Sequence, residues 1–174
     1  MAHQTKERLL HHATISVFCK PHDDPQAVLA GFDIISPVAT GVLLQQEPEP
    51  DPERPRTVHY RMTDVELTVQ ETQTDDGPMR IYSLFFRKMS ALNAFARALA
   101  GCMTKEELAE WREEPELLLD AGGKLSVRLD KELLMQKKLS ITNDGNCYQV
   151  KASVAAYPKT EESIRRAVLR ILGY

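Results

Sequence analysis

Apolar and polar residues alternate from His12 to Cys19, with Ala13, Ile15, Val17 and Cys19 on one side and His12, Thr14, Ser16 and Phe18 on the other. That period of two predicts a strand with one buried face. Asp24 followed by Pro25 reads as a helix start, because Asp accepts orphan backbone donors and Pro suits the first turn. Val28, Leu29, Phe32 and Ile35 then recur at helical spacing until Pro37. The apolar run Val38 to Leu44 predicts a second strand. Val65, Leu67 and Val69 alternate in another, which turns at Thr74 to Pro78 and returns from Met79 to Lys88.

Ser90 opens a helix with Leu92, Phe95, Ala96 and Leu99 on one stripe and Gly101 at its close. Thr104 and Glu107 have the spacing of a capping box for a short helix that carries Leu108 and Trp111 and stops near Pro115. After Gly122-Gly123, Leu125, Val127 and Leu129 predict an inward strand face, with Ser126 and Arg128 outward. Asp130 to Gln136 predicts one or two helical turns. Leu139 to Ile141 and Tyr148 to Ala156 are expected to pair across the Asn143-Asp144-Gly145-Asn146 turn. A last helix starts at Thr160, with Glu161 and Glu162 early and Arg165, Arg166 and Arg170 later, as the helix dipole favours. Strands and helices do not alternate regularly, so the expected fold is α+β: a mainly antiparallel sheet packed by helices on one side.

Glu47 to Pro55 breaks the pattern. Its alternating prolines remove backbone donors and favour extended geometry, so a surface loop at about 46–56 is expected within a single domain spanning 1–174. Hydrophobic residues make up 43% of the 174 residues and charged residues 27%, enough apolar content for a core. No apolar run reaches the roughly 20 residues of a membrane helix, and the start lacks a secretory signal, so a cytoplasmic protein with no membrane partner is expected. Cys19, Cys102 and Cys147 form no metal-spaced pair and read as free thiols.

Charge changes the picture. The net value of −3 hides a division: ten Lys/Arg against five Asp/Glu from Ala121 onward, and twelve against twenty before it. A localised positive surface on an acidic protein points to an anionic partner, of which nucleic acid is the commonest large one. Arg128, Lys131, Lys137, Lys138, Lys151 and Lys159 are the candidate RNA-phosphate contacts, with Arg165 and Arg166 in support. Tyr148 and Tyr157 are candidate stacking surfaces for unpaired bases.

Chemistry finds less support. There is no glycine-rich phosphate loop, no HExxH and no nucleophile elbow. His11-His12 would face opposite sides of a strand and not converge on a metal. His22, Asp23 and Asp24 could form a metal or acid-base group, yet capping accounts for the aspartates. The expectation is a non-enzyme without cofactor or metal.

Val127-Arg-Leu-Asp-Lys131, the lysine-led strand with its Asn-Asp-Gly turn, and Ala156-Tyr-Pro-Lys159 before the terminal helix resemble archaeal proteins of an RNA-binding or predicted exosome-subunit family. His11 to Phe18 with Asp24, and Phe85-Phe-Arg-Lys88 running into Ala94-Phe95, are similar to that family's first and central elements. The resemblance covers about two thirds of the chain; the chain departs from it at Glu47 to Pro55. It implies a compact α+β fold, likened to the ribosomal protein that binds 5S ribosomal RNA or to double-stranded-RNA-binding domains. It also implies an archaeal source and a link to RNA processing, and it brings no catalytic residues. The alternative is a structural or interaction protein, a homodimer or an accessory subunit of an RNA-processing complex that does not itself touch RNA.

Overall fold

The computed structural model describes residues 7–36 and 38–173. Its centre is β1 (Leu10–Cys19), whose alternation is realised: Ala13, Ile15, Val17 and Cys19 are buried, while the intervening side chains face away from the core. Helix α1 (Pro25–Phe32) follows, with Asp24 accepting the Gln26 N–H at 3.0 Å.

Val38 to Leu44 is not a strand. It holds a single helical turn, α2 (Thr40–Leu43), anchored where the Thr40 N–H donates to Asp33 Oδ1 at 2.8 Å and Leu43 is fully buried. A short apolar run carries no periodicity that separates the two outcomes, and the Asp33 contact decides it.

The proline-rich segment is mostly exposed, but it contains regular structure. Glu49–Pro50 forms a two-residue edge strand, β2, against β3 (Thr57–Arg61). His59 secures this edge, its Nε2 lying 3.0 Å from Asp51 Oδ2 and its Nδ1 2.8 Å from Glu66 Oε1. Backbone N–H groups of Glu53 and Arg54 bond Asp51 as well; the Glu53 bond, with His59 next, holds its carboxyl below the ordinary range.

A hairpin of β4 (Val65–Thr74) and β5 (Gly77–Phe86) then leads to α3 (Met89–Gly101) and α4 (Lys105–Glu113). The capping box forms as expected, with Thr104 and Glu107 bonding each other's backbone. A 3₁₀ turn (Pro115–Leu118) precedes β6 (Leu125–Asp130), α5 (Lys131–Met135), β7 (Cys147–Val154) and α6 (Glu161–Ile171). The seven strands are antiparallel throughout, in the order β2-β3-β4-β5-β1-β7-β6.

The expected pairing of residues 139–141 with β7 does not occur. β7 lies between β1 and β6, and Ile141 instead bridges Leu129 on the outer edge of β6, with the Thr142 N–H donating to the Arg128 carbonyl at 2.9 Å. Two apolar strands were available to this short segment, and the helical turn of α5 delivers it to the nearer one.

Helices cover one face of the sheet. Phe95 of α3 stacks on Phe86 of β5 at 5.4 Å between centroids, and Phe32 of α1 meets Tyr148 of β7 edge-on at 5.3 Å. Tyr148 is fully buried and its hydroxyl donates to the Val28 carbonyl at 2.6 Å. That position corrects the expected stacking role, because a ring enclosed between helix and sheet cannot meet a base.

Candidate nucleic-acid interface

The sheet face opposite the helices is built by the other half of each alternation. Cross-strand register aligns Arg128, Gln149, Ser16, Ser83, Thr68 and His59 in one row, and Ser126, Lys151, Thr14, Phe85, Glu66 and Arg61 in the next. Ser16 and Ser83 confirm the shared face, their hydroxyls 2.9 Å apart. Lys124, just before β6, joins His12, Thr14, Ser16, Gln149 and Lys151 around a shallow groove of about 230 Å³.

Two of the expected contact residues therefore share this face, Arg128 and Lys151, and Lys124 was not among those expected. Arg128 donates to the Asn143 carbonyl at 3.2 Å and remains exposed. Among the described residues, neither Arg128 nor these two lysines is held in an ion pair. Asp120 is the nearby carboxylate. Its Oδ1 is occupied by the N–H groups of Gly122 and Lys124 at 2.9 and 3.0 Å, and the Lys124 N–H, ahead of the charges of Lys151 and Lys124, holds it below the usual range.

The remaining candidates separate. Lys131 is only 2% exposed and its ammonium is held by Asp23 at 2.6 Å and the Phe18 carbonyl at 2.7 Å, so it faces the interior and not a phosphate. The neighbouring Asp130 carboxylate caps α5, accepting from the Leu133 N–H at 2.9 Å. Lys137 and Lys138 are exposed beyond the end of β6, where they close α5. Their N–H groups bond the Leu134 and Leu133 carbonyls at 2.9 and 2.8 Å, with Lys137 at φ 63°. That is a Schellman cap. Lys159 is exposed before α6, beside a separate cleft of about 450 Å³ that also receives Glu116, Asp120 and Glu161. Arg165 pairs with Glu116, and Arg166 with Glu162 at 2.8 Å, so the supporting arginines spend their charge locally.

Aromatic groups lie on the open face too. Phe18 is 51% exposed at one end of β1. At the other end His12 stacks on Phe85, with centroids 6.3 Å apart, and the Arg87 guanidinium sits 5.2 Å from the same ring. A bulge between Leu10 and His12 leaves both His11 and His12 exposed, where a regular strand would separate them. Partial burial, then the charge of Lys124 and then that of His11, lowers the His12 pKa below its ordinary value. Tyr157 is 98% exposed beyond β7. His22 is exposed, while Asp23 and Asp24 serve Lys131 and the α1 cap respectively.

An open antiparallel sheet with helices behind it, bearing a cationic strip and surface aromatics, defines an α+β protein. A family model described as RNA binding matches residues 12–154, and the chain belongs to that family. The match runs from within β1 to the end of β7 and stops before α6. The chain is 23% identical over 159 residues to RNA-binding protein PAB1135 of Pyrococcus abyssi, covering 91% of this chain and 90% of the relative. A DUF54 protein from Archaeglobus fulgidus superposes with a TM-score of 0.66 at 18% identity, covering 93% of this chain and 99% of its own. Another, from Methanothermobacter thermautotrophicus, gives 0.63 at 16%, covering 94% and 98%. These structural likenesses show the fold. The three relatives are archaeal, as the sequence resemblance implied.

Proposed function

We propose that this protein binds RNA without catalysing a reaction on it, contacting phosphates through the open face of β6, β7 and β1. The observation that carries the reading is the gathering of Lys124, Lys151 and Arg128 on one solvent-facing side of the sheet, none of them ion-paired among the described residues. Family membership supports it, as does the printed name of the Pyrococcus relative. Lys137 and Lys138 extend the positive edge beyond β6, and Lys159 lies outside the strip. The setting that fits is the cytoplasm, as an accessory of an RNA-processing assembly such as an archaeal exosome.

Titrating salt against labelled RNA tests this. Each phosphate neutralised contributes roughly 0.7 to 0.9 to the slope of log affinity against log salt. Replacing Lys124, Arg128 and Lys151 together by Ala is expected to flatten the slope by about 2. Absence of binding even at tens of millimolar salt overturns the reading.

The rival, a protein that docks partners without touching RNA, has one observation in its favour: Leu117 is 56% exposed and shares a groove with Trp111 and Ile141. Dimerisation by strand pairing is less favoured. One sheet edge is the two-residue β2 with its proline, and the other carries the segment around Ile141.

A further inference from the structure

We infer that the ligand is single-stranded RNA, laid along β1 with its phosphates on the Lys124–Lys151–Arg128 strip and its bases on Phe18 and the His12–Phe85 pair. This rests on the RNA-binding reading and adds strandedness and direction to it.

The geometry is that of a stacking platform. Phe18 and His12 are six residues apart on one strand, so their side chains stand roughly 20 Å apart along its axis. The cationic strip runs beside β1: Lys151 pairs across from Thr14 on the neighbouring strand, and Lys124 and Arg128 flank it on the next. Strand rise puts Lys124 and Arg128 about 13 Å apart. On the same face, on β1, β5 and β7, lie Thr14, Ser16, Ser83 and Gln149, hydroxyl and amide groups able to read base edges or ribose.

One carboxylate, Asp120, borders the strip beside Lys124 and Lys151, its Oδ1 already taken by two backbone N–H groups. Glu66, two strands from β1 on the same face, is only 8% exposed and already bonded by His59, Arg61 and Arg87. The Arg87 guanidinium is thereby fixed over the Phe85 ring instead of competing for the groove.

Strandedness follows from what the rings can reach. In an A-form duplex the bases are stacked on each other and only sugars, phosphates and a shallow groove meet the protein. A Phe ring half open to solvent on a flat face then has no π-surface to stack on. Unpaired bases do offer one, and stacking of this kind tolerates any base.

Fluorescence anisotropy with an unstructured eight-nucleotide RNA and a blunt duplex of the same sequence tests the inference. The single strand is expected to bind at least tenfold more tightly. Phe18→Ala is expected to weaken it about five- to a hundredfold while leaving the salt slope unchanged, and Phe18→Trp to restore it. In the unmodified protein, ultraviolet crosslinking of a 4-thiouridine strand should place adducts on peptides containing Phe18 or Phe85. Equal affinity for the duplex, an unaffected Phe18→Ala, or adducts confined to other peptides would overturn the single-strand inference and leave RNA binding intact. No binding of either RNA at low salt would overturn both.

Discussion

Lys131 reaches across the fold to Asp23, its Nζ 2.6 Å from Oδ2, and the same ammonium takes the Phe18 carbonyl at 2.7 Å. The pair joins the start of α5 to the turn before α1, while the Phe18 ring emerges on the opposite face of β1. Burial pushes the Asp23 carboxyl up, but the Lys131 hydrogen bond and the Lys20 N–H outweigh it and hold the group below its ordinary range. A cation bound this way stabilises the fold and is not free to meet a phosphate.

Lys131→Ala should therefore cost about 3 kcal/mol of stability in urea unfolding, because it strands a partly buried carboxylate. The salt slope of RNA binding should not change. The pH sign follows from the depressed Asp23 value: its contribution is present above the unfolded carboxylate range and is lost as pH falls through the folded one. Acid unfolding of the variant should accordingly lack this component.

His12 is expected to give RNA binding its own pH dependence. Its lowered pKa leaves it neutral at neutral pH, beside Lys124 and His11. Acidification through its lowered value charges it, and a nearby phosphate favours that form. RNA affinity is expected to rise as pH falls from 7.5 towards 5.5, and His12→Ala to flatten the rise in anisotropy titrations. Stability moves oppositely: the folded state resists protonation, so the His12 contribution is present above 6.5 and lost below it.

Lys137 occupies a left-handed backbone position, φ 63°, at the end of α5. Glycine adopts that conformation without the crowding a Cβ brings. Lys137→Gly should stabilise the protein by about 1 kcal/mol, raising the melting temperature by roughly 2–4 °C. The same variant reports on RNA: a salt slope reduced by about 0.7 places Lys137 at a phosphate, and an unchanged slope places it outside the interface.

What the sequence revealed was local. The alternation in β1, the Asp24 and Thr104 caps and the stripe of α3 each depend on residues a few positions apart. His12, Thr14, Ser16 and Phe18 were legible as a second strand face, but without a charge pattern nothing local marked that face as a site. β3 was missed because Val58, His59 and Tyr60 carry no clean alternation, and its hold on β2 comes from His59 meeting Asp51 and Glu66. Lys131 and Tyr148 were misassigned for one reason: Asp23 and Val28 lie 108 and 120 residues away, and no spacing rule connects them. Basic residues at alternating strand positions were rightly placed outside, but whether each met an acid, as Arg165 meets Glu116, depended on the tertiary path.

Gly31 tests how tightly the helical layer fits the sheet. Gly→Ala inside a helix ordinarily stabilises by up to about 1 kcal/mol. Here an added Cβ would lie 2.2 Å from the Tyr148 hydroxyl oxygen and 2.8 Å from its ring carbon Cζ. The ring cannot swing clear, because its hydroxyl is bonded to Val28 and its edge abuts Phe32. Overpacking costs roughly 1–3 kcal/mol and a lost buried hydrogen bond about 1 more, which outweighs the propensity gain. Gly31→Ala is thus expected to destabilise by about 2 kcal/mol in urea unfolding. Adding Tyr148→Phe removes the closest contact and should recover part of that loss; strictly additive effects in the double-mutant cycle would show that the two residues are not coupled as the geometry requires.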